Sequence, residues 1–150
     1  MIVAERPRNA ELASQLERAA QSDPRIRLQF DFIADEHVQR YFRAADLVVL
    51  PYREILNSGT ALLALSFDRP VLLPRAGAGD ELSRRVGSAW VRTYDDELSG
   101  ADILAALDAA SALPERTEGD HLSQLSAEVV SERLLQVYSE LVARPETARA

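Results

Sequence analysis

The first half of the chain changes its hydrophobic period at regular intervals, and each change predicts an element boundary. Residues 1–4 are apolar, which indicates a strand, and Asn9 is a typical cap for the helical repeat over residues 10–21. Apolar and polar side chains then alternate over residues 26–30, as they do in a half-buried strand at a sheet edge. Asp35 is predicted to cap the following helix.

The second half continues the same alternation. The predicted elements are a strand at 47–50, a helix at 58–67, a strand at 70–74, a short helix at 80–85 with Asp80 as its cap, a strand at 89–91, a helix from Ser99 to Ser111 with Ser99 and Asp102 as a capping box, and a long helix at 121–142. The continuous apolar run at 47–50 predicts a central strand, and the helix at 58–67 is apolar all round, which predicts burial on every side. This order predicts an α/β fold with a doubly wound, mostly parallel sheet of about five strands and a long C-terminal helix.

Composition excludes several classes of protein. A chain of 150 residues suits one domain, and its formal net charge of −7 without any Lys/Arg run argues against nucleic-acid binding. It has no cysteine, so disulfides and thiolate chemistry are excluded, and His37 and His121 lack the spacing of metal ligands. No apolar run is long enough to span a membrane, so we expect a cytoplasmic protein and leave peripheral membrane contact open.

The most informative chemistry lies where the strand at 47–50 leads into the next helix. Ligands of parallel sheets bind beyond the carboxyl ends of the strands, and the unpaired amides at a helix start attract anions. Gly59 would let a phosphate approach the backbone closely, while Ser58 and Thr60 would add hydroxyl donors. The alternative is that Ser58 only caps the helix and Gly59 relieves crowding.

The segment "YFRAADLVVLPYREILNSGTALLALSFDRPVLLPRAGAGDEL", residues 41–82, resembles the donor-binding half of family 4 glycosyltransferases, which have two Rossmann-like domains and are called GT-B enzymes. The family's strand, phosphate loop, second strand and glycine-containing loop with a glutamate are echoed at residues 46–51, 58–60, 70–73 and 77–81. The similarity extends over residues 1–142. It implies a Rossmann-like domain, placed here at residues 1–144 with a frayed tail at 145–150.

The resemblance implies a site for the diphosphate of a nucleotide sugar. Its candidate residues are Arg53, Glu54, Asn57, Ser58, Gly59, Thr60, Arg75 and Glu81. Arg53 and Arg75 are predicted at strand ends, where a guanidinium can pair with a diphosphate, although simple solvation is the alternative for each. Glu81 matches the family's loop glutamate, and the alternative is that it only stabilises the helix dipole.

This sequence also departs from the family pattern. The family's two glutamates, eight positions apart, fall at Ile55 and Leu63, and Glu54 is the nearest replacement for the first. No counterpart is found for the family's acceptor-binding domain or for the first strand of its donor domain. We therefore expect an N-terminally truncated donor domain with little or no activity by itself.

The function implied by the resemblance is transfer of a hexose from a UDP- or GDP-linked sugar to a hydroxyl of a glycan or glycolipid, which would bind through the missing N-terminal domain. The nucleotide sugar is a substrate, and no cofactor or metal is expected; the catalytic residues stay unassigned. One alternative is a non-catalytic nucleotide-binding or assembly module that needs a partner chain. Another is a receiver-like phosphoacceptor domain, but Asp46 begins its strand, whereas a phosphoacceptor must stand at the carboxyl end.

Overall fold

A computed structural model describes residues 2–3, 9–52, 59–114, 122, 129, 131–132, 134–136 and 138–139. The chain divides into two compact units, Met1–Val38 and Gln39–Ala150. Each unit contains its own parallel sheet, of two strands in the first and three in the second. The predicted α/β class is confirmed, and parallel strands flanked by helices are consistent with a Rossmann-like fold.

The first unit forms a short strand, helix and strand. Strand β1 (Ile2–Val3) pairs in parallel with β2 (Arg27–Leu28), and helix α1 (Ala10–Ser22) connects them. The predicted cap of α1 is confirmed, because the Asn9 side chain accepts a hydrogen bond of 2.8 Å from the Leu12 backbone N–H. In the next helix, α2 (Asp35–Ala44), Asp35 is the first helical residue rather than the cap that the sequence predicted, and its charge lies in the first turn.

In the described part of the second unit, three continuous helices lie between or after the other three strands. In chain order these are β3 (Val48–Val49), α3 (Gly59–Ser66), β4 (Val71–Pro74), α4 (Ala78–Val86), β5 (Val91–Tyr94) and α5 (Gly100–Ser111). The strands are all parallel, in the order β3-β4-β5. Of the predicted C-terminal helix at 121–142, residues 129, 131–132, 134–136 and 138–139 are helical, whereas Leu122 lies in a turn, so the helix does not extend to its predicted start. Its other positions lie outside the described residues. Within the described residues, no helix is both long enough and apolar enough to cross a membrane.

The sheet differs from the prediction in size and in its central strand. Among the described residues the sheet of the second unit has three strands rather than about five, and the other two predicted strands, β1 and β2, pair with each other in the first unit. The middle strand is β4, whose four residues are all buried, whereas Val48 and Val49 of β3 are only half-buried. An apolar run is therefore not enough to identify the centre of a sheet, because an edge strand can also be covered on both faces.

The last strand begins two residues later than predicted. The sequence prediction ended it at Val91, before the polar residues Arg92 and Thr93. In the structure they are half-buried positions inside β5, which continues to the buried Tyr94. The buried Trp90 immediately precedes the strand.

Helix α3 packs on one side only, which corrects the expectation of burial on every side. Ala61, Ala64 and Leu65 are completely buried and belong to the core around β4. Leu62 and Leu63 remain 40% and 41% exposed. The buried positions are spaced by three and four residues, so they form one face, and two of them are alanines that let the helix approach closely.

Helix α4 approaches the end of β4 so closely that its second residue has no room for a side chain. A Cβ atom at Gly79 would lie 2.1 Å from the Pro74 carbonyl oxygen and 2.7 Å from Leu73 Cδ1. The preceding N-cap residue, Gly77, has φ 67° and ψ −128°, a conformation that only glycine adopts readily. Two glycines therefore fix where α4 begins relative to the sheet.

We expect Gly79→Ala to lower the free energy of unfolding by about 1–3 kcal/mol, because either the helix start or the strand end must move. Urea denaturation followed by fluorescence of the single tryptophan, the buried Trp90, measures the loss. The matched control is Gly100→Ala at the first residue of α5, where a Cβ atom would meet nothing within 4 Å. Equal stability of Gly79→Ala and the natural protein would contradict the close approach.

The predicted capping box of α5 is confirmed. The Ser99 hydroxyl donates to Asp102 Oδ2 at 2.5 Å, the Ser99 backbone N–H donates to the same oxygen at 2.9 Å, and the Asp102 N–H donates to Ser99 Oγ at 3.3 Å. These hydrogen bonds from the Ser99 side chain and backbone lower the pKa of Asp102 below its usual value. The charged carboxylate is therefore the form that the folded helix favours.

The lowered pKa gives the stability contribution of Asp102 a definite pH dependence. It is fully present above the unfolded-state pKa of about 3.9 and is lost as the pH falls through the lower folded-state value. We expect Asp102→Asn to be less stable than the natural protein at pH 7, with a gap that narrows below pH of about 3.9. Urea midpoints measured across this range test it. Asp108→Asn, which removes a carboxylate of the same helix outside the capping box, is the control.

Candidate functional site

The carboxyl ends of the three parallel strands of the second unit lie along one edge of the sheet. The strands end at Val49, Pro74 and Tyr94, and the helices that follow them begin at Gly59, Ala78 and Gly100. In a parallel α/β sheet this arrangement directs the amino ends of the helices, with their unpaired N–H groups, toward that edge. We call it the carboxyl edge.

Half of the predicted site residues lie outside the described residues: Arg53, Glu54, Asn57 and Ser58. Gly59 and Thr60 are the first two residues of α3, and both are exposed. A Cβ atom added to Gly59 would meet nothing within 4 Å among the described residues. Crowding by the described residues therefore does not require a glycine at this position. The other half of that alternative, Ser58 as a simple helix cap, falls on a residue outside the described ones.

Arg75 directly follows β4 and is tied to the end of β5 by both its backbone and its side chain. Its N–H donates to the Tyr94 carbonyl at 2.9 Å, and its Nε donates to Asp95 Oδ1 at 2.7 Å. The hydrogen bond and charge of Asp95 raise the pKa of Arg75, with a smaller contribution from the charge of Asp80. The side chain is 52% exposed, so it is paired and solvated at once.

Asp80 connects Arg75 to a second arginine on α4. One carboxylate oxygen of Asp80 lies 3.6 Å from Arg75 Nη1, and the other lies 3.3 Å from Arg84 Nη2. With Asp95 these residues form the edge network, defined as Arg75, Asp80, Arg84 and Asp95. Its two positive and two negative charges cancel. The Asp80 side chain is not the cap that the sequence predicted, because Gly77 occupies the N-cap position and has no side chain to cap with.

Glu81 lies in the first turn of α4 and forms an ion pair with Arg85, one turn later in the same helix. Its side chain is 57% exposed. This position suits the stabilisation of the helix dipole that was one of its two interpretations. Its proposed contact with a sugar donor stays a prediction.

Sequence reasoning missed Asp95, the strongest partner of Arg75. The prediction ended the last strand at Val91, so Asp95 fell in the interval before the next predicted helix, to which no role was assigned. Once β5 is extended to Tyr94, Asp95 becomes the first residue after a strand and Arg75 the first residue after its neighbour. A strand boundary three residues later would have placed the two charges side by side.

The described residues can also be checked for a metal site and for the phosphoacceptor site of a receiver-like domain. No group of three or more His, Cys, Asp or Glu side chains there is arranged to hold a metal ion. Asp46 lies two residues before β3, at the opposite end of the strand from the carboxyl edge. The receiver-like interpretation requires an aspartate at the carboxyl end, so this placement argues against it.

Comparison with known proteins finds two curated relatives, both named GDP-mannose:glycolipid 4-beta-D-mannosyltransferase. One is from Xanthomonas campestris pv. campestris strain ATCC 33913, and the other is from Xanthomonas campestris pv. campestris. Each is 36% identical to this chain over 118 residues, a stretch that covers 79% of the chain and 34% of the relative. No family model and no solved structure matches.

The chain thus spans about a third of the length of the curated relatives it matches. Those relatives are enzymes that transfer a mannosyl group, so the resemblance to a glycosyltransferase that the sequence predicted is confirmed. Over 79% of its length, this chain is related to one part of a mannosyltransferase.

Proposed function

We propose that this chain is the donor-binding part of a glycosyltransferase and that it holds a nucleoside diphosphate sugar at the carboxyl edge. The observation that carries the proposal is the similarity, over 79% of the chain, to enzymes named for GDP-mannose. GDP-mannose is accordingly the proposed donor, in preference to a UDP-linked sugar. The proposed acceptor is a glycolipid, bound by a part of the enzyme that this chain does not include.

The amino end of α3 is the proposed cradle for the diphosphate. The first N–H groups of a helix have no partner within the helix, and the helix dipole gives this end a partial positive charge. Gly59 opens the approach, because it leaves space where another residue would place a Cβ atom. The Thr60 hydroxyl, which is exposed, is a further donor for a phosphate oxygen.

The other predicted residues complete the proposed site. Arg75 lies at the end of the strand beside β3, where a guanidinium can donate to a diphosphate oxygen. Glu81 is proposed to accept hydrogen bonds from the sugar, as the family resemblance implies. The remaining candidates belong to the segment that joins β3 to α3 and are proposed to contact the diphosphate from there: Arg53, Glu54, Asn57 and Ser58.

The proposed reaction transfers the mannosyl group to an acceptor hydroxyl with departure of GDP. Negative charge grows on the departing diphosphate, and donors fixed before the reaction stabilise that charge without having to reorganise. We propose no cofactor and no metal for this step. Family 4 membership, the GT-B architecture with residues 1–144 as donor domain, cytoplasmic location and a role in polysaccharide or glycolipid assembly belong to the same proposal.

Gly59→Ala tests the cradle without disturbing the described fold. Its methyl group would occupy the space proposed for a phosphate, so we expect GDP binding to weaken by about tenfold, with stability unchanged or slightly raised by the better helix former. Calorimetric titration with GDP measures the affinity. Gly100→Ala, the same substitution at the first residue of α5, should bind GDP like the natural chain. Equal affinity of all three proteins would contradict a phosphate at Gly59.

The chain alone is expected to show no mannosyl transfer, because the proposed acceptor site lies in a part of the enzyme outside it. The measurement is release of GDP from GDP-mannose in the presence of a glycolipid acceptor, with the purified 150-residue chain. Turnover above the uncatalysed background would show that this chain holds a complete active site.

A further inference from the structure

We infer that Asp95 is a positioning residue, which holds the Arg75 guanidinium in the orientation that a nucleoside diphosphate requires. The inference rests on the proposed function for the identity of the ligand. It assigns a role to a residue that the sequence prediction did not include and that follows a strand other than the one bearing Arg75. The evidence lies in which atoms of the guanidinium are used and in how the charges of the edge network cancel.

Asp95 holds Arg75 through Nε, the guanidinium nitrogen nearest the backbone. The distance of 2.7 Å from Nε to Asp95 Oδ1 is typical of a charge-assisted hydrogen bond. Within residues 9–52 and 59–114, the hydrogens on Nη1 and Nη2 form no hydrogen bond, since Asp80 Oδ1 lies 3.6 Å from Nη1. Asp95 therefore holds the guanidinium at Nε, while the N–H donors on Nη1 and Nη2 of Arg75 remain available to a phosphate.

The backbone limits the motion of both partners. Arg75 and Asp95 each follow directly after a strand, and the two strands pair in register, with Pro74 opposite Tyr94. The Arg75 N–H also donates to the Tyr94 carbonyl, at 2.9 Å. Since both Cα atoms directly follow paired strands, the freedom that remains is that of the two side chains, and their hydrogen bond restrains both.

Because the charges of the edge network cancel, Arg75 can contribute to ligand binding in only one of two ways. Arg84 neutralises Asp80, and Asp95 neutralises Arg75, so the network has no net charge with which to attract an anion. Arg75 then contributes through directed N–H donors rather than through a general positive field. In such a site, binding depends on how the Arg75 N–H donors are oriented. Asp95, which restrains the guanidinium, sets that orientation.

A simple electrostatic interpretation predicts the opposite effect of Asp95. If Asp95 were only a negative charge near an anion site, its removal would strengthen GDP binding, because repulsion would fall. If Asp95 positions Arg75, its removal would weaken GDP binding in spite of that relief. The sign of the change distinguishes the two.

The experiment compares GDP affinity by calorimetry for the full chain and for Asp95→Ala, Asp95→Asn and Asp96→Asn. We expect Asp95→Ala to weaken binding by about tenfold, and Asp95→Asn, which keeps an oxygen acceptor, to recover part of the loss. Asp96→Asn removes a neighbouring charge whose side chain forms no ion pair or hydrogen bond among the described residues, and asparagine tolerates the φ of 53° at that position. It should bind as tightly as the natural chain or slightly more tightly.

A double substitution and a ligand-free measurement separate positioning from a general loss of structure. Adding Asp95→Ala to Arg75→Ala should cause no further loss, since Asp95 acts through Arg75. In the ligand-free protein, hydrogen exchange of the Arg75 Nε–H, followed by nitrogen-15 NMR, should be faster in Asp95→Ala than in Asp96→Asn. Unchanged or stronger GDP binding by Asp95→Ala would overturn the inference.

The ligand-free measurement also distinguishes this inference from the proposed function. Failure of the natural chain to bind GDP would refute the donor site and, with it, the ligand named here. A protected Arg75 Nε–H that becomes labile in Asp95→Ala would still support the restraint on the side chain. Equal exchange in all variants would refute that restraint whether or not GDP binds.

Discussion

The burial of β4 between β3 and β5 is the constraint on which the rest of the second unit depends. Val71, Leu72 and Leu73 are at most 2% exposed, and the buried face of α3 packs against the same strand. Because a buried strand must pair every backbone group, β4 fixes the register of both neighbours. That register places the residues after the strands, Arg75 and Asp95, beside each other at one edge.

The same constraint determines how closely helices can approach the carboxyl edge. Gly79 brings α4 against the Pro74 carbonyl, where any side chain would collide. Gly59, by contrast, has open space around its Cα atom within the described residues. A glycine is thus needed at Gly79 because the protein packs too closely there for a side chain. At Gly59, we propose, the glycine lets a ligand approach the backbone.

Local signals predicted the elements well, because caps and turns depend on neighbouring residues. Asn9 and the Ser99/Asp102 box were predicted correctly from side chains that satisfy backbone N–H groups within one turn. The centre of the sheet and the end of β5 were not predicted, since they depend on which strands pair across long stretches of sequence. The exposed half of α3 was missed for the same reason, because an apolar helix does not show which of its faces meets the sheet.

For the candidate site, the sequence predicted that Gly59, Thr60 and Arg75 come after strands, which the structure shows, but not the pairing of Arg75 with Asp95. Their contact with a ligand stays a prediction. Gly59, Thr60 and Arg75 follow or precede strands whose apolar runs were recognisable. The Arg75 and Asp95 contact joins residues twenty positions apart, and no local pattern marks it. The network adds to the expected pairing of Arg75 with a diphosphate a carboxylate that holds the guanidinium at Nε.

The central claim is that a nucleoside diphosphate binds at the amino end of α3. Titration of the nitrogen-15 labelled chain with GDP, followed by two-dimensional NMR, tests it most directly. The account predicts that the backbone amide signals of Gly59 and Thr60 shift in a saturable way, while that of Gly100 at the start of α5 stays in place. Saturating GDP that leaves the Gly59 and Thr60 signals of the folded protein unmoved would contradict the account.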